Sequence, residues 1–135
     1  MAEPLRVVDA SVLVRNLAAD NPAMLEHARR LIDGDAPLGI TAVAVLETAH
    51  VLHRVYGYER AAVVDALVQL VMRQNVVGVG IDREQIAAKL SLCRASGTVS
   101  FGDALLAATA ASAGIDGAYT FDERLRQAGV IAVIP

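Results

Sequence analysis

Four of the fifteen acidic residues in this 135-residue chain stand apart by where they fall against apolar segments. Asp9 closes the apolar run of RVVDAS, and Glu47 interrupts TAVAVLETAHVL. Asp103 opens the nearly uncharged stretch FGDALLAATAASAG, and Asp122 follows GAYT in AYTFDERL. In open parallel sheets, ligands bind in the crevice beyond the carboxyl ends of the strands, so acids that follow strands are placed for a site. Glu47 has Val43, Ala44, His50 and Val51 as its helical neighbours, which predicts a largely apolar face. An unpaired carboxylate buried there is costly unless a cation, a metal or a proton compensates it. Each acid also has a structural role open to it. Asp9 can cap a helix starting near Ser11, Ser100-x-x-Asp103 reads as a capping box, and Asp122 can cap a short helix over 123–127. Glu47 can pair with His50 or with an arginine.

If the four converge, they repel and raise one another's pKa until a cation neutralises them. Oxygen-only ligation without clustered His or Cys selects a hard cation, Mg²⁺ or Mn²⁺. Such a pocket suits phosphoryl chemistry, where a metal activates water and offsets charge on the phosphate and leaving oxygens. No Ser/His/Asp or Cys/His set competes with this reading. His27, His50 and His53 read as surface or packing residues, with His50 notable only for lying one turn from Glu47. The single cysteine, Cys93 in LSLCRA, excludes an internal disulfide and reads as an inert buried thiol.

A net charge of −3 and a pI of about 5.5 are not those of a simple nucleic-acid binder. Lys89 is the only lysine, so phosphate contact falls to arginines, which grip phosphate bidentately. Arg15, six residues beyond Asp9, is the candidate substrate contact, with a surface or ion-paired arginine as the alternative.

Around these residues the apolar pattern alternates between two kinds. Strand-type runs are LRVV (5–8), PLGIT (37–41), VVGVG (76–80), GAYT (117–120) and VIAVI (130–134). Helical patterns start near Ser11 and then run from Asn21-Pro22 to Asp33 with Gly34 as C-cap, and over 41–55, 59–74, 83–95 and 101–113. Continuously apolar strands alternating with helices predict an α/β fold, a parallel sheet with helices on both faces. No linker, repeat or charge block divides residues 1–135, which read as one domain. The start MAEPLRVVDASVL lacks the features of a secretory signal, and no apolar stretch reaches the roughly 20 residues needed to span a bilayer. A cytoplasmic protein is expected.

At VVDASVLV, the Glu of ITAVAVLETAHVL, FGDALLAATA and YTFDERL, the chain resembles the PIN-domain family, particularly its VapC-type toxins from VapBC toxin–antitoxin pairs. Each motif alone is weak, but the four occur in order across essentially the whole chain. The resemblance implies a three-layer α/β/α domain with a central parallel sheet of four to five strands. It implies a Mg²⁺- or Mn²⁺-dependent endoribonuclease leaving 5′-phosphate and 3′-hydroxyl ends. Asp9 and Asp103 are then metal ligands, Glu47 and Asp122 complete the acidic cluster, and Ser11 and Thr120 orient a carboxylate or water. Capping or turn chemistry is the plainer role for both hydroxyls. RNA, a cognate VapB-type antitoxin and a second copy of the chain are the implied partners. The antitoxin groove is expected on the helices over 43–55 and 59–74, with Val63, Leu67, Leu70 and Val71 on its face and Tyr56 and Tyr58 beside it; ordinary core is the plainer role for those four. Three other readings stand beside this one. A small phosphatase of the aspartyl-phosphate kind wants Asp-x-Asp, and position 11 is Ser. A catalytically silent PIN-like binding module would be suggested by loss of an acid, yet all four are present. A response-regulator receiver needs a lysine late in the domain, and this chain has no counterpart, Lys89 lying mid-helix.

Overall fold

Short runs of two or three residues form the five strands of the computed structural model, which describes residues 3–18, 20–95 and 99–135. They are β1 (Arg6–Val7), β2 (Leu38–Ile40), β3 (Val76–Gly78), β4 (Gly117–Tyr119) and β5 (Ile131–Val133). Between them run α1 (Ala10–Ala18), α2 (Pro22–Ile32), α3 (Ala42–His50), α4 (Arg60–Val71), α5 (Arg83–Ser91) and α6 (Phe101–Ser112). A π-helical turn over Val51–Val55 extends α3, and a 3₁₀ helix over Glu123–Ala128 joins β4 to β5.

All strand pairs are parallel, as the sequence pattern implies. β2 lies between β1 and β3, with Arg6 opposite Leu38 and Ile40 opposite Gly78. β4 pairs with β5, Tyr119 facing Val133. The five strands are therefore hydrogen-bonded as three and two rather than as one continuous ladder, within an α/β architecture consistent with the three-layer PIN-like fold. Shortness is the physical reason, since β1 contributes only two residues and both are exposed. Only β2 is buried throughout. Side chains alternate across a pleated strand, and in the outer strands one set faces solvent, Val7, Val77, Tyr119, Ile131 and Val133 among them. Beyond β3 the chain turns so tightly that a Cβ on Gly78 would stand 1.9 Å from the Ile81 carbonyl oxygen, and only glycine fits.

Helix starts follow their capping residues. Asn21 Oδ1 accepts the Met24 N–H at 3.2 Å with Pro22 in the first turn, and Thr41 Oγ1 accepts the Ala44 N–H at 3.2 Å. The end of α2 differs from expectation. Asp33, not Gly34, is its C-cap, at a right-handed φ of −83° that needs no glycine. Val63, Leu67, Leu70 and Val71 on α4 are core, not groove, at 5% exposure or less. Three of the five alanines of α6 (Ala104, Ala107 and Ala108) are buried, and small side chains at a contact let helix axes approach closely. α6 thereby packs against both α3 and α5.

Leu67 is fully enclosed in this core. Leu67→Ala is expected to lower unfolding free energy by about 2–5 kcal/mol, read as a drop in urea midpoint at unchanged m-value.

Candidate functional site

The acids enter the structure on elements that pack in succession: α1 against α3, α3 against α6, and α6 against the 3₁₀ helix. Asp9 directly precedes α1, Glu47 lies in α3, Asp103 is in the first turn of α6, and Asp122 is the N-cap of the 3₁₀ helix.

Asp9 is exposed, and its Oδ2 accepts the Ser11 N–H at 3.0 Å. Ser11, through its side chain first and its backbone second, holds the Asp9 carboxyl below the ordinary range. Asp103 is half-buried. Its backbone N–H donates to Ser100 Oγ at 3.0 Å, so the cap foreseen at this helix start uses the main chain of Asp103, not its carboxylate. Asp122 caps with Oδ1, which accepts the Arg124 N–H at 3.0 Å. The Arg124 guanidinium also grips this carboxylate, Nε at 3.0 Å from Oδ1 and Nη2 at 2.8 Å from Oδ2. That grip, with the backbone bond behind it, holds the Asp122 carboxyl below its usual range. Thr120 Oγ1 accepts the Asp122 N–H at 2.9 Å, so its hydroxyl orients the backbone of the acid rather than its carboxylate.

Glu47 departs from expectation. It is exposed, as is Val43 one turn earlier, because α3 turns Ala44, Val45, Thr48 and Ala49 inward instead. The cost of burying a carboxylate therefore places no demand on this residue. Arg15 takes the ion-paired alternative, with Nη1 at 2.9 Å from both carboxylate oxygens of Asp20. The Tyr56 hydroxyl donates to the same carboxylate, and the Tyr58 ring stacks parallel to Tyr56 at 6.1 Å. Arg15 also borders an apolar cleft of about 420 Å³ with Ser11, Val12, Met24, His27 and Leu31.

The histidines are largely packing and surface groups. His50 and His53 flank the Phe101 ring, over which the Arg60 guanidinium lies at 4.5 Å. Burial, and then the charges of Arg54 and His53, push the His50 pKa down. His27 is exposed. Cys93 is enclosed, and burial pushes its thiol up to about 11.

Three residues beside the site were not singled out by type and spacing. Tyr119 and Phe121 are 81% and 84% exposed, flanking Thr120, and Arg124 holds Asp122. The available signal was an aromatic on either side of a hydroxyl at a strand's carboxyl end, with arginine two residues past the acid.

In kind the donors suit a hard divalent cation, being carboxylates without thiolate or imidazole beside them. Among the described residues, however, no three His, Cys, Asp or Glu side chains are near enough to hold one, and the Asp122 carboxylate is turned onto Arg124.

The PIN domain family matches residues 6–131. No curated protein and no solved structure matches the chain. This chain belongs to the PIN domain family, a nuclease-type fold whose members are typically metal-dependent hydrolases using divalent ions. Among the described residues, no helix is long and apolar enough to cross a membrane.

Depressed folded-state values for Asp9 and Asp122 mean that both stay ionised as pH falls to the ordinary carboxylate value. Their contribution to stability is present above that value and is lost only as pH drops through the folded value. Carboxyl ¹³C titrations of both residues are expected to give midpoints below about 3.9. Native Cys93 is expected to react with a disulfide reagent at pH 8 on the order of 100-fold more slowly than after unfolding.

Proposed function

We propose that the chain is a metal-dependent endoribonuclease, the VapC-type toxin of a toxin–antitoxin pair, hydrolysing RNA phosphodiesters by in-line attack of water. The observation that carries this reading is the succession α1–α3–α6–3₁₀ helix, which joins the elements bearing Asp9, Glu47, Asp103 and Asp122 in a PIN-family chain. Asp9 and Asp103 are the proposed ligands of Mg²⁺ or Mn²⁺, with Glu47 and Asp122 completing the set. Bound there, the ion would supply an activated water and offset charge on the phosphate and the leaving 3′-oxygen. The chain's own part is positional. Ser11 holds the Asp9 carboxylate at the start of α1, and Thr120 holds the backbone of Asp122. Tyr119 and Phe121 offer exposed ring faces on which unpaired bases stack.

A VapB-type antitoxin helix is the proposed partner. With the α4 face consumed by the core, what supports its docking is a small apolar cleft of about 220 Å³ between Leu17, Leu52, Tyr58, Ala62 and Ala66. A homodimer belongs to the same reading, supported by the exposed Val7, Ile131 and Val133 on the strands. The second reading, a silent PIN-like binding module, is favoured by one observation, the engagement of Asp122 by Arg124.

The deciding experiment incubates purified protein with single-stranded RNA and Mg²⁺ or Mn²⁺, with EDTA and Asp9→Asn as controls. Asparagine caps a helix as well as aspartate does, so this variant is expected to fold normally. Cleavage is expected only with metal, leaving 5′-phosphates, and Asp9→Asn is expected to cut it by at least about 10- to 100-fold. Equal cleavage in all three samples would overturn the metal mechanism. No cleavage in any sample, with antitoxin binding intact, would favour the silent module.

A further inference from the structure

We propose that the outward side of the two parallel sheets, carrying Val7, Val77, Ile131 and Val133, is the surface on which a second copy of this chain docks, sheet against sheet. The inference rests on the homodimer of the reading above and gives it a place. It does not require the chain to be a nuclease.

Strand register puts these residues on one side. Val7 pairs with Gly39 and Gly39 with Val77, so the three form one row across β1, β2 and β3. The rows before and after it turn Leu38, Val76 and Ile40 into the core. Successive side chains of a strand point to opposite faces, so Val7 and Val77 face away from that core. They are 64% and 42% exposed. Val79 joins them, since a Cβ on Gly39 would stand 3.0 Å from its Cγ2. In β5 Ala132 is buried, while Ile131 and Val133 on either side of it are 58% and 42% exposed. Val8, Leu38, Val76 and Val130 belong to one core cluster, so both sheets have their backs to the same core.

Parallel sheets are ordinarily covered on both faces, and an aliphatic face left in water forgoes the free energy of burial. Three properties of this face fit a second copy. The first is area. With Leu5 and Ile134 beside them, the outward residues expose on the order of 600 Å² of side chain, so a two-fold contact covering them removes roughly 1,200 Å², the lower end of specific interfaces. The second is shape. Gly39 puts no side chain at the centre of its row, and the strands present a shallow pleated surface of the kind that packs on another sheet at about 10 Å. The third is charge. The chain carries a net −3, yet none of these residues is charged. A two-fold axis lays each patch on an identical one, and an uncharged patch meets its copy without like-charge repulsion. The Glu3–Arg6 ion pair at β1 supplies a polar rim.

The test is the oligomeric state of the full chain by sedimentation velocity between about 1 and 100 μM, where an interface of this size is expected to associate. Wild type is compared with Val77→Lys on one sheet and Val133→Lys on the other. Met72→Lys, at an exposed methionine ending α4, is the control off the face. Wild type is expected to dimerise. Each face variant places a new charge twice in a two-fold contact and is expected to weaken the dimer at least about 100-fold, with Met72→Lys unchanged. The substituted side chains stand in solvent, so circular dichroism of all four proteins at the lowest concentration is expected to coincide. Should one lysine variant misfold, the other still decides. A dimer that survives both face variants overturns this surface and leaves the homodimer itself standing. Wild type that stays monomeric at the highest concentration overturns both, and the face then belongs to a different protein. RNA cleavage measured on the same samples reports on the nuclease reading separately.

Discussion

Local compensation of carboxylate charge is the constraint that organises the candidate acids of this molecule. Three of the four candidate acids stand at helix starts, where unsatisfied N–H groups and the helix dipole favour carboxylates. Asp9 receives the Ser11 N–H and Asp122 receives the Arg124 N–H, so each is stabilised in its charged form before any cation arrives. Capping and ligation are thus not rival explanations of these residues. A carboxylate held by one oxygen at a helix start keeps a second oxygen at a defined place, a useful property for a ligand. At Asp122 that second oxygen is taken by Arg124, which makes this corner the one where compensation is internal.

The rest of the fold packs the elements that carry those helix starts one against the next. α6 carries Asp103 at its first turn, and every residue after it is alanine, leucine, threonine or serine, with no charge. Its buried alanines allow α3 and α5 to lie close on either side. Leu125 and Ala128 tie the 3₁₀ helix against the same body, and Lys89 secures its end. The only lysine of the chain is thus spent on a carbonyl, 39 residues away in sequence, and is no part of a basic face.

Arginine use follows the same pattern. Arg15, Arg73, Arg94 and Arg124 each meet a carboxylate. At a net charge of −3, a molecule of this kind has no strong positive long-range field. On the proposed nuclease reading, contact with RNA would be local, with the exposed rings of Tyr119 and Phe121 at the edge of β4.

Strand and helix positions, the helix starts at Asn21, Ser100 and Asp122, the inert thiol of Cys93 and the membership in the PIN domain family were all legible in the chain itself. Local chemistry and period decide these things, and both are written in neighbouring residues. Glu47 was not legible in this way. Its apolar neighbours suggested burial, yet α3 rotates Ala44, Val45 and Thr48 inward and leaves it in solvent, a choice made by packing against α1 and α6. The same holds for α4, whose apolar face could have been a groove and is core. The partners of Arg15, the division of the strands into three and two, and the grip of Arg124 on Asp122 belong to the tertiary structure. Each depends on distances and rotations between elements that residue types and spacing do not encode.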